Sequence, residues 1–494
     1  MTTTGNRALM LEEPLLFEQD APGRSGVDLP EPEDPVADRL GGLRRKGRIG
    51  LPGLSEPQVV RHYTRLSQKN YGIDSGIYPL GSCTMKHNPR LNEKMARLPG
   101  FADIHPFQPA ATVQGALAVM DELANWLKAL TGMPAVALSP AAGAHGELCG
   151  LMAIRAALEH RGDARRTVLV PESAHGTNPA TAALCGYAVQ SIPANGDGGR
   201  VSVAALRERL GGDVAAVMLT NPNTCGLFES DIVEIAQAVH EAGAFFYLDG
   251  ANFNALVGRV RVADLGVDAM HINLHKTFST PHGGGGPGAG PVVFSDTLAP
   301  FAPLPFLVHG PEGLRLAETG PAGAMPFGRL KGFHGQFGVF VRALAYMLSM
   351  GGDGLLQASS DAVLNANYLL ARLKDDLTPA FPGPCMHEVL FDDRFLKDTG
   401  VTTLDLAKAM IDEGLHPMTM YFPLVVHGAL LMEPTETESL ASLDQFVATV
   451  KALAARARAG EAASFHESPT LSPRRRLDET AAARTPVLRW RETG

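Results

Sequence analysis

Lys276 lies in a setting that favours reaction chemistry over simple surface exposure. It follows the short apolar run 269–272, and a run of glycines follows at 283–286. Burial lowers the pKa of a lysine and makes its amine a nucleophile that can form a Schiff base with an aldehyde. A structural ion pair is the alternative interpretation of this lysine.

Two further side chains with useful chemistry follow apolar runs. Asp249 ends the run 244–249, and a carboxylate in a low-dielectric setting stays ionised only beside a cation or good hydrogen-bond donors. A protonated pyridine nitrogen would serve. His175 follows the run 167–170, where its flat imidazole could stack on an aromatic ring. The ordinary alternatives are a helix cap or turn for the aspartate and a surface turn for the histidine.

Small and polar residues at two other run ends could bind a phosphate and a ring oxygen. Gly143 and Ala144 open a predicted helix after the run 134–138, and the free N–H groups of a helix start favour anions. Asn221 and Thr224 follow a later run and offer an amide and a hydroxyl. A plain glycine turn and an Asn-Pro turn are the alternatives.

Taken together, these run ends predict a pyridoxal phosphate enzyme. They offer a phosphate cradle, a stacking imidazole, a ring-oxygen donor, a carboxylate and a buried lysine, in the chain order of an aspartate-aminotransferase-like enzyme of fold type I. In such an enzyme the lysine holds the cofactor as a Schiff base. The carboxylate keeps the pyridine nitrogen protonated, so that the ring accepts electrons.

The elements that must position these residues alternate between strand and helix. Such alternation implies a mostly parallel sheet wound with helices, with ligands at the carboxyl ends of the strands. We therefore expect an α/β fold with a mostly parallel seven-stranded sheet and a smaller C-terminal α+β domain. The predicted strands are 134–138, 167–170, 215–220, 244–249, 269–272 and 291–294, and the predicted helices are 113–130, 147–159, 204–210, 232–242 and a stretch near 336–376.

The distribution of proline, acidic and apolar residues divides the chain into four predicted segments. The first is an extended N-terminal arm at 1–65, rich in proline and acidic residues and unable to build its own core. A large cofactor-binding α/β domain at 66–335 follows. A small α+β domain with its connecting helix occupies 336–465, and a polar tail occupies 466–494.

Composition excludes several classes of protein. The 494 residues carry a formal net charge of −9, which argues against nucleic-acid binding, and no apolar run is long enough to predict a membrane span. Five scattered cysteines lack the spacing of a disulfide framework. We therefore expect a reduced, cytoplasmic chain.

Two motif matches and one metal site are rejected. Gly283-x-Gly285-x-x-Gly288 fits the dinucleotide pattern, but it precedes a predicted strand instead of following one into a helix. Lys276-Thr277 resembles the end of a phosphate loop but lacks the preceding glycine. His271 and His275 are spaced as metal ligands, yet no carboxylate or cysteine at ligand spacing completes a set, so we predict no metal.

Beyond these patterns, the chain resembles the glycine cleavage system P-protein, the glycine dehydrogenase (decarboxylating) family, and is similar to its lysine-bearing subunit 2. The resemblance covers about residues 60 to 450. One departure is Cys225, which places a thiol near the site where an apolar residue is expected. The shared motifs are Tyr78-Pro-Leu-Gly-Ser-Cys-Thr-Met-Lys-His-Asn-Pro89, Gly143-Ala-His-Gly-Glu147, Glu172-Ser-Ala-His-Gly-Thr-Asn-Pro179, Asn221-Pro-Asn-Thr224 and the stretch from Asn273 to Gly286.

The resemblance implies a role for individual residues. Lys276 should hold pyridoxal 5'-phosphate as a covalent Schiff base, Asp249 should pair with the ring nitrogen, and His175 should stack on the ring. The remaining roles are the phosphate for Gly143 and Ala144 with help from His275 or Thr277, the ring oxygen for Asn221 or Thr224, and the substrate for Thr84, Lys86 and Arg329. The segment 82–86 looks like a substrate-covering loop, with a turn packed on the arm as the alternative.

The resemblance also implies a reaction and partners. Glycine is decarboxylated, CO2 leaves, and the aminomethyl group passes to the lipoyl arm of the H-protein, whose disulfide is the oxidant. A separate subunit 1 is expected in a heterodimer or a dimer of heterodimers, with functional links to the T-protein and L-protein. The competing hypotheses are another fold-type-I amino-acid decarboxylase or aminotransferase, and a non-catalytic scaffold.

Overall fold

The computed structural model describes residues 10–21, 23–27, 30, 40–47, 49–193, 199–283 and 288–491. Of the glycine run at 283–286, only Gly283 lies within the described residues. The helices are α1 (Glu56–Gln68), α2 (Arg90–Ala96), α3 (Pro99–Ala102), α4 (Gln114–Thr131), α5 (Gly143–His160), α6 (Thr177–Leu184), α7 (Val203–Arg207), α8 (Ile232–Glu241), α9 (Leu274–Thr277), α10 (Phe337–Leu373), α11 (Thr403–Asp412), α12 (Leu440–Arg458), α13 (Ala462–Glu467) and α14 (Glu479–Arg484).

The strands form a large sheet, a small sheet and a hairpin. The large sheet has seven strands in the order β1-β7-β6-β5-β4-β2-β3, the small sheet has the order β10-β11-β13-β12, and β8 pairs with β9. The strands are β1 (Ala135–Ala137), β2 (Thr167–Pro171), β3 (Ala188–Ile192), β4 (Val214–Thr220), β5 (Phe245–Gly250), β6 (Ala269–Ile272), β7 (Val292–Phe294), β8 (Phe306–Gly310), β9 (Gly313–Ala317), β10 (Thr378–Pro379), β11 (Val389–Asp392), β12 (Thr419–Met420) and β13 (Leu430–Met432).

The large sheet is parallel from β3 through β2, β4 and β5 to β6, and only β7 runs against its neighbours. Strands β4, β5 and β6 are buried at every position. Strands covered on both faces read as continuous apolar runs. That is why these strands could be found from the sequence.

Alternation along the strands divides the large domain into two apolar layers. Phe245 and Tyr247 of β5 pack with helix α5 on one face of the sheet. Phe246 and Leu248 pack on the other face with helices α4, α8 and the first half of α10. The period of two along a strand produces this division, and it fixes the sheet between two helical layers.

Helix α10 connects the large domain to the small one. Gly351, with φ 64° and ψ −178°, interrupts it, so the helix is two segments in series. The first segment packs in the large-domain core and the second packs with β11, α11 and α12 in a separate core. By length and composition α10 could span a membrane, but 44% of its most apolar window is buried and both segments serve these cores. We therefore interpret it as a core helix.

The N-terminal segment packs against α1 and the C-terminal tail. The carboxylate of Glu13 accepts hydrogen bonds from Arg65 and lies 3.2 Å from the Nδ1 of His62. The Phe17 and Trp490 rings stack with their centroids 5.0 Å apart. The predicted boundary at residue 65 falls inside α1.

The predicted architecture is confirmed, and the six predicted strands correspond to β1, β2, β4, β5, β6 and β7. The seventh strand, β3, had no counterpart among the predicted runs. Its sequence Ala-Val-Gln-Ser-Ile mixes polar and apolar residues, and three of its five positions are exposed because it is the edge strand. The α/β fold of two domains is thus built as expected.

Candidate active site

Lys276 lies in α9, immediately beyond the carboxyl end of β6. Only 8% of the residue is exposed. Its Nζ donates a hydrogen bond of 2.8 Å to the backbone carbonyl of Ser82. Among the residues the structure describes, no carboxylate lies within ion-pair distance of this amine. The arrangement therefore disfavours the structural ion pair and leaves the amine available for chemistry.

Asp249 is the last residue but one of β5, the strand next to β6 in the sheet. Its carboxylate accepts hydrogen bonds of 2.9 Å from the Asn178 side chain and from the Ala251 backbone N–H, and it lies 3.3 Å from the Nε2 of His271. Burial alone would raise the pKa of Asp249, but His271 and these donors outweigh it and lower the pKa. The carboxylate therefore stays ionised and can face a cationic ring nitrogen.

Glu147, in α5, is a second buried carboxyl beside Asp249. It accepts a hydrogen bond of 2.7 Å from the Thr177 hydroxyl, and its other oxygen has no partner within the described chain. Burial, together with the negative charge of Asp249, raises its pKa to about 7. The sequence motif contained this residue, but spacing alone assigned it no role.

His271, Asp249 and Glu147 bear on the metal prediction. That prediction depended on the lack of a carboxylate near His271 in the sequence. In the fold these three residues bring one ligand atom each to within 4.8 Å of the others. Two donors already hold the Asp249 carboxylate, however, and Tyr247 lies 2.8 Å from the second ring nitrogen of His271. We assign no metal here.

The start of α5 provides a close-packed turn for an anion. Gly143 has no room for a side chain, because a Cβ there would lie 2.6 Å from the Asn273 amide nitrogen. Ala144, the next residue in this 18-residue helix, is exposed. A helix start with these features suits a phosphate.

His275 and Thr277 flank Lys276 and differ in what they can offer. Burial, and secondarily the charge of Lys276, lowers the pKa of His275 to about 3, so its ring is neutral. The ring lies against Gly288, where a Cβ would come within 3.0 Å. The buried Thr277 hydroxyl has no hydrogen-bond partner in the described structure and is free to donate to a ligand.

Asn221 and Thr224, beyond β4, are both buried. The Asn221 amide oxygen accepts from the Glu229 backbone N–H at 3.0 Å, and its amide nitrogen has no partner among the described residues. The Thr224 hydroxyl already donates to the Ser173 carbonyl. Asn221 is therefore the better donor to a ring oxygen.

His175 follows β2 on the same edge of the sheet. Its Nδ1 accepts the Thr177 backbone N–H at 3.3 Å, which orients the ring. The residue is exposed, and Phe422 of the small domain lies 5.6 Å away between ring centroids. An exposed, oriented ring at this edge is placed to cover a planar ligand.

The segment 81–86 is held firmly rather than standing free as a loop. The backbone N–H of Ser82 donates to Glu388 at 2.7 Å, and the Thr84 hydroxyl donates to Glu433 at 2.5 Å. The Nζ of Lys86 lies 2.5 Å from a carboxylate oxygen of Glu436 and donates hydrogen bonds to Asn254 and to the Thr277 carbonyl. Lys86 therefore joins the two domains, and its ammonium already has partners.

Among the described residues, neither Arg329 nor Cys225 shares a hydrogen bond or ion pair with Lys276. Arg329 pairs with Glu318 in a cavity of about 650 Å³ lined by aromatic residues, and no contact among the described residues links it to Lys276. Cys225 is buried with Leu227, Leu390 and other apolar residues, and burial raises the pKa of its thiol to about 12. The expected thiol near the site is thus a packing residue.

Glu388 and Glu433 were missed by sequence reasoning, although the sequence carried a signal. Glu388 immediately precedes an apolar run, and Glu433 immediately follows another. These runs are β11 and β13, which pair antiparallel with Val389 opposite Met432. That register places the two glutamates side by side, at the start of β11 and at the end of β13.

The residues at the carboxyl edge of the large sheet fit pyridoxal phosphate. Unpartnered donors on Asn221 and Thr277, the glycine-lined start of α5 and the held carboxylate of Asp249 match the oxygen, phosphate and nitrogen of that cofactor. Lys276 supplies the amine for its aldehyde.

Comparison with known families agrees with this chemistry. The profile of the family described as "Glycine dehydrogenase, C-terminal domain" matches residues 358–471. The profile described as "Aminotransferase class-V" matches residues 145–302, which contain every predicted cofactor residue except Gly143 and Ala144.

Relatives align along nearly the whole chain. A Caulobacter vibrioides protein named "Probable glycine dehydrogenase (decarboxylating) subunit 2" is 67% identical, with 99% of this chain and 94% of the relative covered. A protein of the same name from Kosmotoga olearia is 50% identical, with 96% of this chain and 99% of the relative covered.

Solved structures share the fold. A glycine decarboxylase (P-protein) of the glycine cleavage system, in inhibitor-bound form, superposes with a TM-score of 0.67 at 22% identity, covering 86% of this chain and 91% of that one. An Oryza sativa enzyme solved with PLP and tryptamine gives 0.64 at 16% identity, covering 83% and 90%.

Proposed function

Because this chain belongs to the glycine dehydrogenase (decarboxylating) subunit 2 family, we propose that it decarboxylates glycine, releases CO2 and transfers the remaining aminomethyl group to the lipoyl arm of the H-protein. One structural observation carries the proposal. The buried Lys276 amine lies just beyond β6, and the buried Asp249 carboxylate lies near the carboxyl end of the adjacent parallel strand β5. Asn221 and Thr277 add unpartnered donors.

Pyridoxal phosphate, when bound, supplies the electron sink for loss of the carboxylate. We propose that Lys276 holds it covalently and that the start of α5, at Gly143 and Ala144, receives its phosphate with help from the Thr277 hydroxyl. His275 contributes a neutral ring that packs beside this turn. Asn221, supported by Thr224, serves the ring oxygen.

Asp249 and His175 act on different parts of the cofactor ring, Asp249 on its nitrogen and His175 on its exposed face. The ionised Asp249 carboxylate holds a proton at the ring nitrogen, and Asn178 and the Ala251 N–H keep that carboxylate in position. His175 covers the exposed side of the site. Electrostatic groups that are fixed in advance stabilise developing charge without reorganising.

The segment 81–86 excludes water from the amine of Lys276. Thr84 and Lys86 are bound to glutamates of the small domain, so we propose that they shape the substrate site rather than contact the departing carboxylate. Water exclusion protects a carbanionic centre from protonation. Substrate binding by Arg329 would require this residue to leave its ion pair with Glu318.

The relatives are named subunit 2, and a partner subunit 1 is therefore implied. We propose a heterodimer or a dimer of heterodimers with subunit 1, and functional links to the H-protein, T-protein and L-protein. We place the chain in the cytoplasm, which the five free cysteines support. We propose domain boundaries at 1–65, 66–335, 336–465 and 466–494, supported by the two separate apolar cores.

Glycine-dependent exchange of labelled bicarbonate into the carboxyl group of glycine tests the proposed function. The full chain is assayed alone and with subunit 1, each with and without lipoylated H-protein. We expect exchange when both partners are present, and loss of exchange in Lys276→Ala with the fold intact by circular dichroism.

Two outcomes would contradict this function. Normal exchange by Lys276→Ala would remove the site assignment. Release of an amine or keto acid from another amino acid without H-protein, in the absence of glycine exchange, would favour an ordinary decarboxylase or aminotransferase.

A further inference from the structure

A buried group of titratable side chains lies where strands β11 and β13 of the small sheet meet the segment 81–86. Glu388 and Glu433 are neighbours because Val389 pairs with Met432 across β11 and β13. His387 adjoins them, and each of the three residues is at most 1% exposed. Buried polar groups of this kind carry a large cost unless they have hydrogen-bond partners, so their partners indicate what they do.

Glu388 accepts two hydrogen bonds, a long one of 3.5 Å from the Asn252 side chain and a short one from the backbone of Ser82. The Ser82 N–H donates to the Glu388 carboxyl at 2.7 Å. Ser82 has a φ of +63°, in the left-handed region that a serine rarely adopts, so a surrounding contact must hold it there. The preceding Gly81 lies against Leu431, where a Cβ would come within 2.3 Å of the leucine side chain.

The carbonyl of Ser82 contacts the large domain. It accepts the hydrogen bond of 2.8 Å from the Nζ of Lys276. Ser82 is thus bound on its N–H side to the small domain and on its carbonyl side to the lysine of the large domain. The backbone of one residue connects Glu388 to Lys276.

We infer that Glu388 is a positioning residue for Lys276: it holds the Ser82 backbone so that the Ser82 carbonyl receives the free amine of Lys276. This inference rests on the proposed attachment of pyridoxal phosphate to Lys276. The carbonyl directs the amine when it is not bonded to the cofactor, which is its state before cofactor attachment and after substrate displaces it. Glu433 supports the same segment through Thr84.

The charge of Glu388 is not needed for this role. Burial, and next the nearby Glu433, raises the pKa of Glu388 well above its usual range, which favours the neutral carboxyl. A neutral carboxyl oxygen still accepts an N–H hydrogen bond, and so does the amide oxygen of glutamine. Glu388→Gln should therefore preserve the position of Ser82, whereas Glu388→Ala and Glu388→Asp should not.

Uptake of pyridoxal phosphate by the cofactor-free full chain, mixed with subunit 1, tests the inference. Initial binding is measured by fluorescence quenching. Covalent attachment is measured by trapping with borohydride at set times and locating the modified lysine by mass spectrometry. These two readouts separate binding of the phosphate from orientation of the amine.

We expect Glu388→Ala to slow attachment about tenfold or more, the size of effect that one lost hydrogen bond to an amine produces, with initial binding unchanged. Glu388→Asp, which keeps a carboxyl but shortens its reach, should also slow attachment if the alanine variant does not fold. Glu388→Gln should stay within about threefold of the parent. Asp405→Asn is the matched control, because Asp405 is a buried small-domain carboxyl that accepts the Thr402 N–H at 3.0 Å away from this segment.

Attachment at the parent rate in both Glu388→Ala and Glu388→Asp would overturn the inference, and so would a glutamine variant as slow as alanine. Equal losses in initial binding and attachment would also overturn it, because they indicate general disruption. Failure of the parent chain to attach cofactor at Lys276 would instead contradict the proposed function, so the two failures are distinguishable.

Discussion

Two carboxyls in one buried pocket, Asp249 and Glu147, have pKa values shifted in opposite directions. Asp249 receives two hydrogen bonds and faces His271, so its pKa is lowered. Burial of Glu147, together with the Asp249 charge beside it, outweighs its hydroxyl donor and raises its pKa to about 7. Such divergence commonly separates an ionised group from a proton-bearing one in an active site. Of these two carboxyls, Asp249 is the one that loses its proton first as the pH rises.

The raised pKa of Glu147 predicts a dependence of stability on pH. The folded state binds this proton more tightly than the unfolded state, whose carboxyl has a pKa of 4.5. The stability contribution is therefore full below about pH 4.5 and is lost as the pH rises to about 7, by an amount of about 3 kcal/mol.

Glu147→Gln removes that titration and keeps the acceptor for Thr177. We expect the variant to gain about 3 kcal/mol on the cofactor-free parent between pH 4.5 and pH 8, measured by urea unfolding. A stability difference that stays constant across this range would contradict the assigned pKa.

Residue by residue, the sequence predicted the side chains that follow the strands of the large sheet. Lys276, Asp249 and His175 belong to runs whose continuous apolar character marks a buried strand, and the ends of parallel strands share one edge. Ser82 and Glu388 could not be joined in this way. Their contact depends on how the small domain packs on the large one, which no spacing along the chain records.

Among the elements, the turn between β1 and α5 is a tightly packed part of the cofactor site. A Cβ on Gly290 would lie 2.1 Å from the Ala142 carbonyl oxygen, at the entry to α5. The neighbouring β7 strand therefore fixes the helix start through glycine packing. Any side chain at this position must displace the backbone that we propose receives the phosphate.

Gly290→Ala should weaken binding of pyridoxal phosphate at least tenfold and destabilise the chain by about 1 to 3 kcal/mol, the usual cost of overpacking. Fluorescence titration and urea unfolding measure the two effects. Gly115→Ala in α4 is the control, since no atom lies within 4 Å of a Cβ there, and it should stabilise the helix by about 0.5 to 1 kcal/mol. Unchanged cofactor affinity in Gly290→Ala would contradict the phosphate assignment.

The strength of each element's sequence pattern decided whether it could be predicted. The buried central strands and the long helices α4, α5 and α10 carry continuous or periodic apolar patterns. The edge strand β3 and the N-terminal helix α1 are half exposed, and α1 has only one buried residue, His62. Exposure removes the apolar signal on which the prediction depends.

At the scale of the whole molecule, Lys86 connects the two domains through a buried ion pair and hydrogen bonds. Its side chain is 1% exposed and pairs with Glu436, whose side chain is 7% exposed. Its partners Asn254 and Thr277 belong to the large domain, whereas Glu436 follows β13. Removal of one member of a buried pair leaves an uncompensated charge, which is strongly destabilising.

Lys86→Met should therefore lower the free energy of unfolding by about 3 kcal/mol or more. The double variant Lys86→Met/Glu436→Gln should recover part of that loss, because no buried charge is left unpaired. Denaturant unfolding of both variants checks this expectation. A double variant less stable than the single one would show that the pair does not act as described.

The bridge between Leu80 and Met432 adds a residue from the start of the large domain to the small sheet, although the two residues are far apart in the chain. During synthesis Leu80 leaves the ribosome long before β13 exists. Contacts so distant in sequence are slow to form, and domains near the N-terminus begin to fold first. The segment 81–86 therefore reaches its final position only after the small domain has been made. A chain that still lacks this domain has Lys276 and the Ser82 carbonyl, but not the Glu388 contact that we propose holds this carbonyl in place.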